Sequence, residues 1–164
     1  MPNGWLVRIA EKDYPVDSLE TLASWRIQRR VPDDGEIFDP RNAAWIKVPD
    51  FFTSLLSTII ATTTPSVEGS RIARYLGIES VEVVPGTGIM SELRTGLEDL
   101  FGRRSGDFEQ MLQQAKRLAL EHLLLVAFLR RANAVVGVDL DYAEFSSNRI
   151  AVIASGTLVQ VERV

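Results

Sequence analysis

Cysteine is absent from the 164 residues, and histidine occurs once, at His122. No disulfide and no thiolate metal site can form, and a Ser-His-Asp or Cys-His set has almost nothing to draw on. Net basic charge is missing too. Lys and Arg number 18 against 22 Asp and Glu, for a net charge of -4. That argues against a dedicated nucleic-acid binder, which usually carries a basic face. Long hydrophobic runs are also lacking. The longest, "LLLVAFL" from Leu123 to Leu129, is far short of the ~20 residues that span a bilayer. The opening "MPNGWLVRIAEKDY" has no basic segment leading into an apolar core, so no signal peptide is read there. These absences lead to the expectation of a soluble cytoplasmic protein that spans no membrane, binds no nucleic acid and uses no cofactor.

What is present is a globular composition, 46% hydrophobic and 24% charged. Residues 1–50 differ from the rest, since they hold all three tryptophans, Trp5, Trp25 and Trp45. "GWLVRI" predicts a strand and "SLETLASWRI" a helix capped by Ser18, with two short strands expected at "EIF" and "AWIKV". Residues 51–57 form an apolar connector that packs, or leads into a strand through "IIATTT". Residues 58–164 then predict a strand, a turn and a second strand at "IESVEVV". A short helix over "MSELRTGLEDLF" and a long one from about Asp107 to Arg131 follow. Three strands close the chain, at "AVVGVDLDY", "RIAVIAS" and "TLVQVER". The whole is an α+β pattern.

The long helix predicts a buried stripe at Phe108, Met111, Leu112, Ala115, Ala119 and Val126, and His122 falls on it. Its last turns, "LLLVAFL", are apolar all round. A helix covered on one side only does not look like this, so a second element or a second subunit is expected on the far side.

Alternation in "AVVGVDLDY" groups Val136, Val138, Leu140 and Tyr142 on one strand face, and Val135, Gly137, Asp139 and Asp141 on the other. The two carboxylates would stand about 7 Å apart. They could hold a hard cation through oxygen, but a structural pairing with arginine is the better expectation, with Arg71, Arg103 and Arg104 as partners. The segments "TTTPSVEGSRIARYLGIESVEVV", "FGRRSGDFE", "NAVVGVDLDY" and "ASGTLVQV", in that order, resemble the YbjQ family over residues 60–163. The resemblance implies a dodecin-subunit-like domain, an antiparallel sheet packed on helices, assembled as a homopentamer, under the family label of a heavy-metal-binding domain. Residue by residue it singles out Arg103, Arg104, Ser105 and Glu109, then Asp139, Asp141 and Tyr142. Arg103 stands where the family has glycine and Phe108 where it usually has tyrosine.

Residues 1–50 resemble a small α+β GYF-like module of the bacterial kind, on the strand with Trp5, the "SLETLASW" helix and "EIFDPRNAAWIKV". That resemblance implies a protein or peptide partner, with Trp5, Tyr14, Trp25 and Trp45 as the contact aromatics. The glycine expected before Pro15 is missing.

Two segments could seat an anion. "PGTG", Pro85–Gly88, reads better as a plain loop, and "GRRSGD" reads equally as an N-cap at Ser105. No metal site is expected; were a cation held, Asp139, Asp141 and His122 would be the residues for it. Soft metals favour thiolate and imidazole, which this chain lacks in number. The sequence therefore predicts a non-enzymatic homo-oligomeric scaffold or binding protein, with a metal- or small-ligand-binding oligomer as the alternative.

Overall fold

The computed structural model of the chain describes residues 4–85, 105–146 and 149–164. The elements run β1 (Trp5–Ile9), β2 (Lys12–Val16), α1 (Leu19–Ile27), β3 (Glu36–Asp39), β4 (Ala44–Lys47), α2 (Val48–Leu56), β5 (Ile60–Ala61), β6 (Ser70–Val83), α3 (Ser105–Leu129), β7 (Ala134–Ser146) and β8 (Arg149–Arg163). They form an α+β fold with two sheets, ordered β2-β1-β3-β4 and β5-β7-β8-β6. The second sheet is mixed, not purely antiparallel, because β5 joins β7 in parallel. The short helix expected near residues 90–101 lies outside the described residues.

Local chemistry explains the first unit. Ser18 is extended, and its hydroxyl accepts the Thr21 amide at 3.1 Å, which starts α1. β2 was not expected from the sequence. It is polar and contains Pro15, but it is the edge strand of its sheet, where a missing amide is tolerated. The stretch read as a connector lies within α2 except for Ser57, which caps its C-terminus. Pro49 sits in that helix's first turn, and Val48, Phe51, Phe52 and Leu56 are buried on one face.

One apolar core runs through both parts of the chain. Val7, Leu22, Ile37, Phe51 and Phe52 belong to it from the first unit, and Ala119, Leu123, Leu125, Val135 and Leu158 from the second. The far side of "LLLVAFL" is therefore covered from within the chain. α1 and α2 pack on α3, whose other contacts are with β6, β7 and β8.

Two breaks expected from the sequence, before "IESVEVV" and between "RIAVIAS" and "TLVQVER", fail for one reason. Glycine sits inside long strands. β6 runs for 14 residues through Gly77, which has φ of 118° at a register shift. β8 runs for 15 residues through Ser155 and Gly156, so "RIAVIAS" and "TLVQVER" are one strand. Gly137 has φ of 61° where the β7–β8 register jumps between Val136 and Asp139. Interior glycines of this kind mark bulges and close approaches. At Gly156 an added Cβ would stand 2.6 Å from Val135 Cγ1 and 3.5 Å from the Val136 carbonyl oxygen. Gly156→Ala is expected to destabilise the fold by about 1–3 kcal/mol through overpacking, measured by denaturant unfolding. A stability equal to wild type would show that Val135 can move aside freely.

Candidate functional site

The Gly137 bulge decides which way the acidic residues point. Val135 pairs with Leu158 and is buried against the helices, whereas Val136 pairs with Thr157 on the opposite face. The extra residue in the bulge inverts the alternation. Val138 and Leu140 then face the helices, while Asp139 and Asp141 share the outer face with Val136. The grouping of Val135 with the two aspartates, drawn from strict alternation, is thereby corrected. The conclusion that the carboxylates face away from the helices holds.

The bulge is held by the threonine turn that precedes β6. The Gly137 amide donates to the Thr64 carbonyl at 2.9 Å, and the Val138 amide donates to that of Thr62 at 3.0 Å. The Thr62 amide in turn donates to the Val135 carbonyl at 3.0 Å. The Thr62 and Thr64 hydroxyls share a hydrogen bond of 2.7 Å. Two segments remote in sequence thus form one backbone unit.

Asp139 lies beside Ser155, with Ser80 beyond it across the sheet. Asp141 lies beside Ile153, with Glu82 beyond. Both aspartates are exposed. Among the described residues neither forms an ion pair. Arg71, one expected partner, instead holds Glu162 at 2.5 Å. Arg103 and Arg104 lie outside the described residues. Ser105 begins α3, but its side chain lies outside them too, as does most of "PGTG". Glu109 is exposed on α3, and Tyr142 is exposed on the face of β7 opposite the aspartates. No group of three metal-holding side chains occurs among the described residues. Asp139→Asn is expected to change the stability of the single-chain fold by less than about 1 kcal/mol. A larger loss in denaturation at high dilution would mean a structural partner within the chain.

Trp5, Tyr14, Trp25 and Trp45, the aromatics expected to meet a partner, are not gathered on one surface. Register places Trp5 and Tyr14 on the core side of the first sheet, and Trp45 on the other side with Leu6, Pro15 and Phe38. Trp25 is on α1. Each tryptophan carries a guanidinium: Arg8 lies 3.7 Å from the Trp45 ring centroid, Arg30 4.3 Å from Trp25 and Arg41 5.0 Å from Trp5. Trp5 also meets Phe51 edge-on, with ring centroids 5.6 Å apart.

A cluster that the sequence did not disclose lies where α1 meets α3. Arg26 is only 7% exposed. Its guanidinium donates to both Glu121 carboxylate oxygens, at 2.5 and 3.3 Å, and to the Val31 carbonyl at 2.8 Å. It also meets Asp33 at 2.6 Å. Burial works against this charge, but the bonds to Glu121 and Asp33 outweigh it, and the Arg26 pKa rises above its ordinary value. Beside Glu121, His122 is buried. Burial pushes the imidazole pKa down, Arg29 and Arg26 push the same way, and Glu121 opposes them. No local pattern reveals this cluster, because its partners are 95 residues apart. The one available signal was an arginine among the apolar positions of α1.

A family model described as "Putative heavy-metal-binding" matches residues 59–162. Among solved structures, the chain is similar to a protein of unknown function of the DUF74 family from Pediococcus pentosaceus. The identity is 16%, the match covers 63% of this chain and 98% of that one, and the TM-score is 0.41. No helix among the described residues is long and apolar enough to cross a membrane.

Proposed function

This chain belongs to the YbjQ family, whose model matches it over residues 59–162, and from that premise we propose that it is a non-enzymatic homo-oligomeric binding scaffold. In this proposal the dodecin-like domains form a pentameric ring, and each copy holds its GYF-like N-terminal unit in a fixed orientation toward a protein or peptide partner. The observation that carries it is the edge strand β6. Among the described residues this strand pairs on one side only, with β8. It presents Tyr75 at 67% and Ile78 at 80% exposure, on the sheet face away from α3. A long edge with apolar side chains is a template for pairing with another chain. Several copies in a ring would raise weak binding by each unit through multivalency. The row Pro15, Leu6 and Trp45, on the outer side of the first sheet, supports a partner surface there.

One observation favours a second function. Asp139 and Asp141 stand exposed on one face with no ion pair among the described residues, as a hard-cation or small-ligand site completed at a subunit interface would need. Native mass spectrometry with metal analysis separates the two. The scaffold predicts multiples of the 18.3 kDa chain without stoichiometric metal, and no zinc or copper binding tighter than micromolar in calorimetry. A monomer at every micromolar concentration would remove it. An ion retained in proportion to subunits, and lost in Asp139→Asn, would establish the second.

A further inference from the structure

The seam between the N-terminal unit and α3 brings together an arginine with three acceptors, a carboxylate and a histidine, all in or at the edge of the core. Arg26 reaches across from α1, and Glu121 receives it from α3. Asp33, at the rim, receives the same guanidinium. His122 follows Glu121 on the helix and is buried. Leu22 and Ala23 of α1, and Leu123 and Leu125 of α3, belong to the apolar core that closes the seam. We propose that this seam is a proton-responsive latch: His122 stays neutral while the N-terminal unit sits on α3, and takes up a proton as that unit lifts away.

The charge count supports this. The charged groups that act on His122 are Arg26 in α1, Arg29 in the turn after it, and Glu121 on its own helix. Glu121 is already engaged by Arg26 through both oxygens. A protonated His122 would be a further cation in a seam whose carboxylate is taken, and burial makes that cation more costly still. Undocking relieves both problems at once, because water then solvates the imidazolium and separates it from the arginines.

The sign follows by linkage. The closed seam holds the His122 pKa below its ordinary value, so the opened state binds more protons between the two values. Docking is then at full strength above the ordinary histidine pKa of about 6.5. It weakens as pH falls below that value, and levels off once His122 is protonated in the closed state. Within that window each pH unit changes the docking equilibrium by up to about tenfold.

Two measurements on the full chain test it. His122 is the only histidine, so its ring proton signals need no assignment by mutation. Their titration should give an apparent pKa below the ordinary value, and a value at or above it would overturn the latch. Hydrogen exchange read as protection factors should show α1 amides losing protection as pH falls from about 7.5 to 5.5, by up to about tenfold per unit once below 6.5. The central amides of β8 should not follow. In His122→Gln the α1 protection should be flat across that range. Equal losses in α1 and β8 would indicate acid destabilisation of the whole fold, and an unchanged slope in His122→Gln would assign the effect to another group. Either result overturns the proposal.

Discussion

Phe52→Ala is expected to lower the stability of the whole chain, not of its first unit alone, by about 3–5 kcal/mol. Phe52 is among the largest fully buried side chains, and its ring stands edge-on to Phe51 at 5.4 Å. The Arg26 guanidinium lies 5.5 Å from its centroid. α2 touches α3 and also the strands β3 and β4. A cavity at Phe52 therefore opens at the junction, where the helix cannot collapse toward one partner without leaving the other. The tryptophans all lie in the first unit, so their fluorescence reports that unit while far-UV circular dichroism reports the whole chain. Both midpoints should move together in denaturant, as one cooperative transition requires. A fluorescence midpoint that falls while the main dichroism transition stays put would show two independent units.

The sequence exposed the apolar faces well and the strand continuity poorly. The buried stripe of α3 was legible in part, since Ala115, Ala119 and His122 are buried where a 3.6-residue period puts them, while Met111, Leu112 and Val126 are half-buried. The all-round apolar end of that helix left a second element or a second subunit open, and α1 and α2 of the same chain pack there. Glycine misled because one residue type serves two purposes. At Gly156 the need is room beside Val135, and at Gly77 and Gly137 it is a positive φ at a bulge. Composition cannot separate these from a turn. The same limit reached the acidic pair, whose outward direction was readable while its relation to Val135 was not, because a bulge changes parity without changing composition. Charge pairing across 95 residues has no local signature at all. Likewise the arginines stacked on Trp5, Trp25 and Trp45 are contacts that residue type alone does not show.

The Arg26–Glu121 pair should show unequal costs for its two halves. Glu121→Leu leaves a guanidinium that is 7% exposed with one backbone carbonyl and the rim carboxylate of Asp33, itself 59% exposed. An uncompensated buried charge costs about 3–5 kcal/mol, and the lower end applies here because Asp33 remains and Glu121 is itself 24% exposed. Arg26→Met leaves Glu121 near the surface, where water can take over its oxygens, so a loss of about 1–2 kcal/mol is expected, set by the missing hydrogen bonds. The double variant Arg26→Met/Glu121→Leu removes both charges and places two apolar side chains in an apolar seam. Its loss should be smaller than that of Glu121→Leu alone, since replacing a buried ion pair by well-packed apolar groups is often nearly neutral. Urea unfolding of the four proteins at pH 7.5 gives the cycle. The order is diagnostic because solvation, not contact number, sets it. Removing the acceptor strands a buried cation, whereas removing the cation strands only a partly hydrated carboxylate. Additive losses, or an Arg26→Met variant worse than Glu121→Leu, would mean that the side chains act through packing, and that the charge across the seam contributes nothing to holding the N-terminal unit on α3.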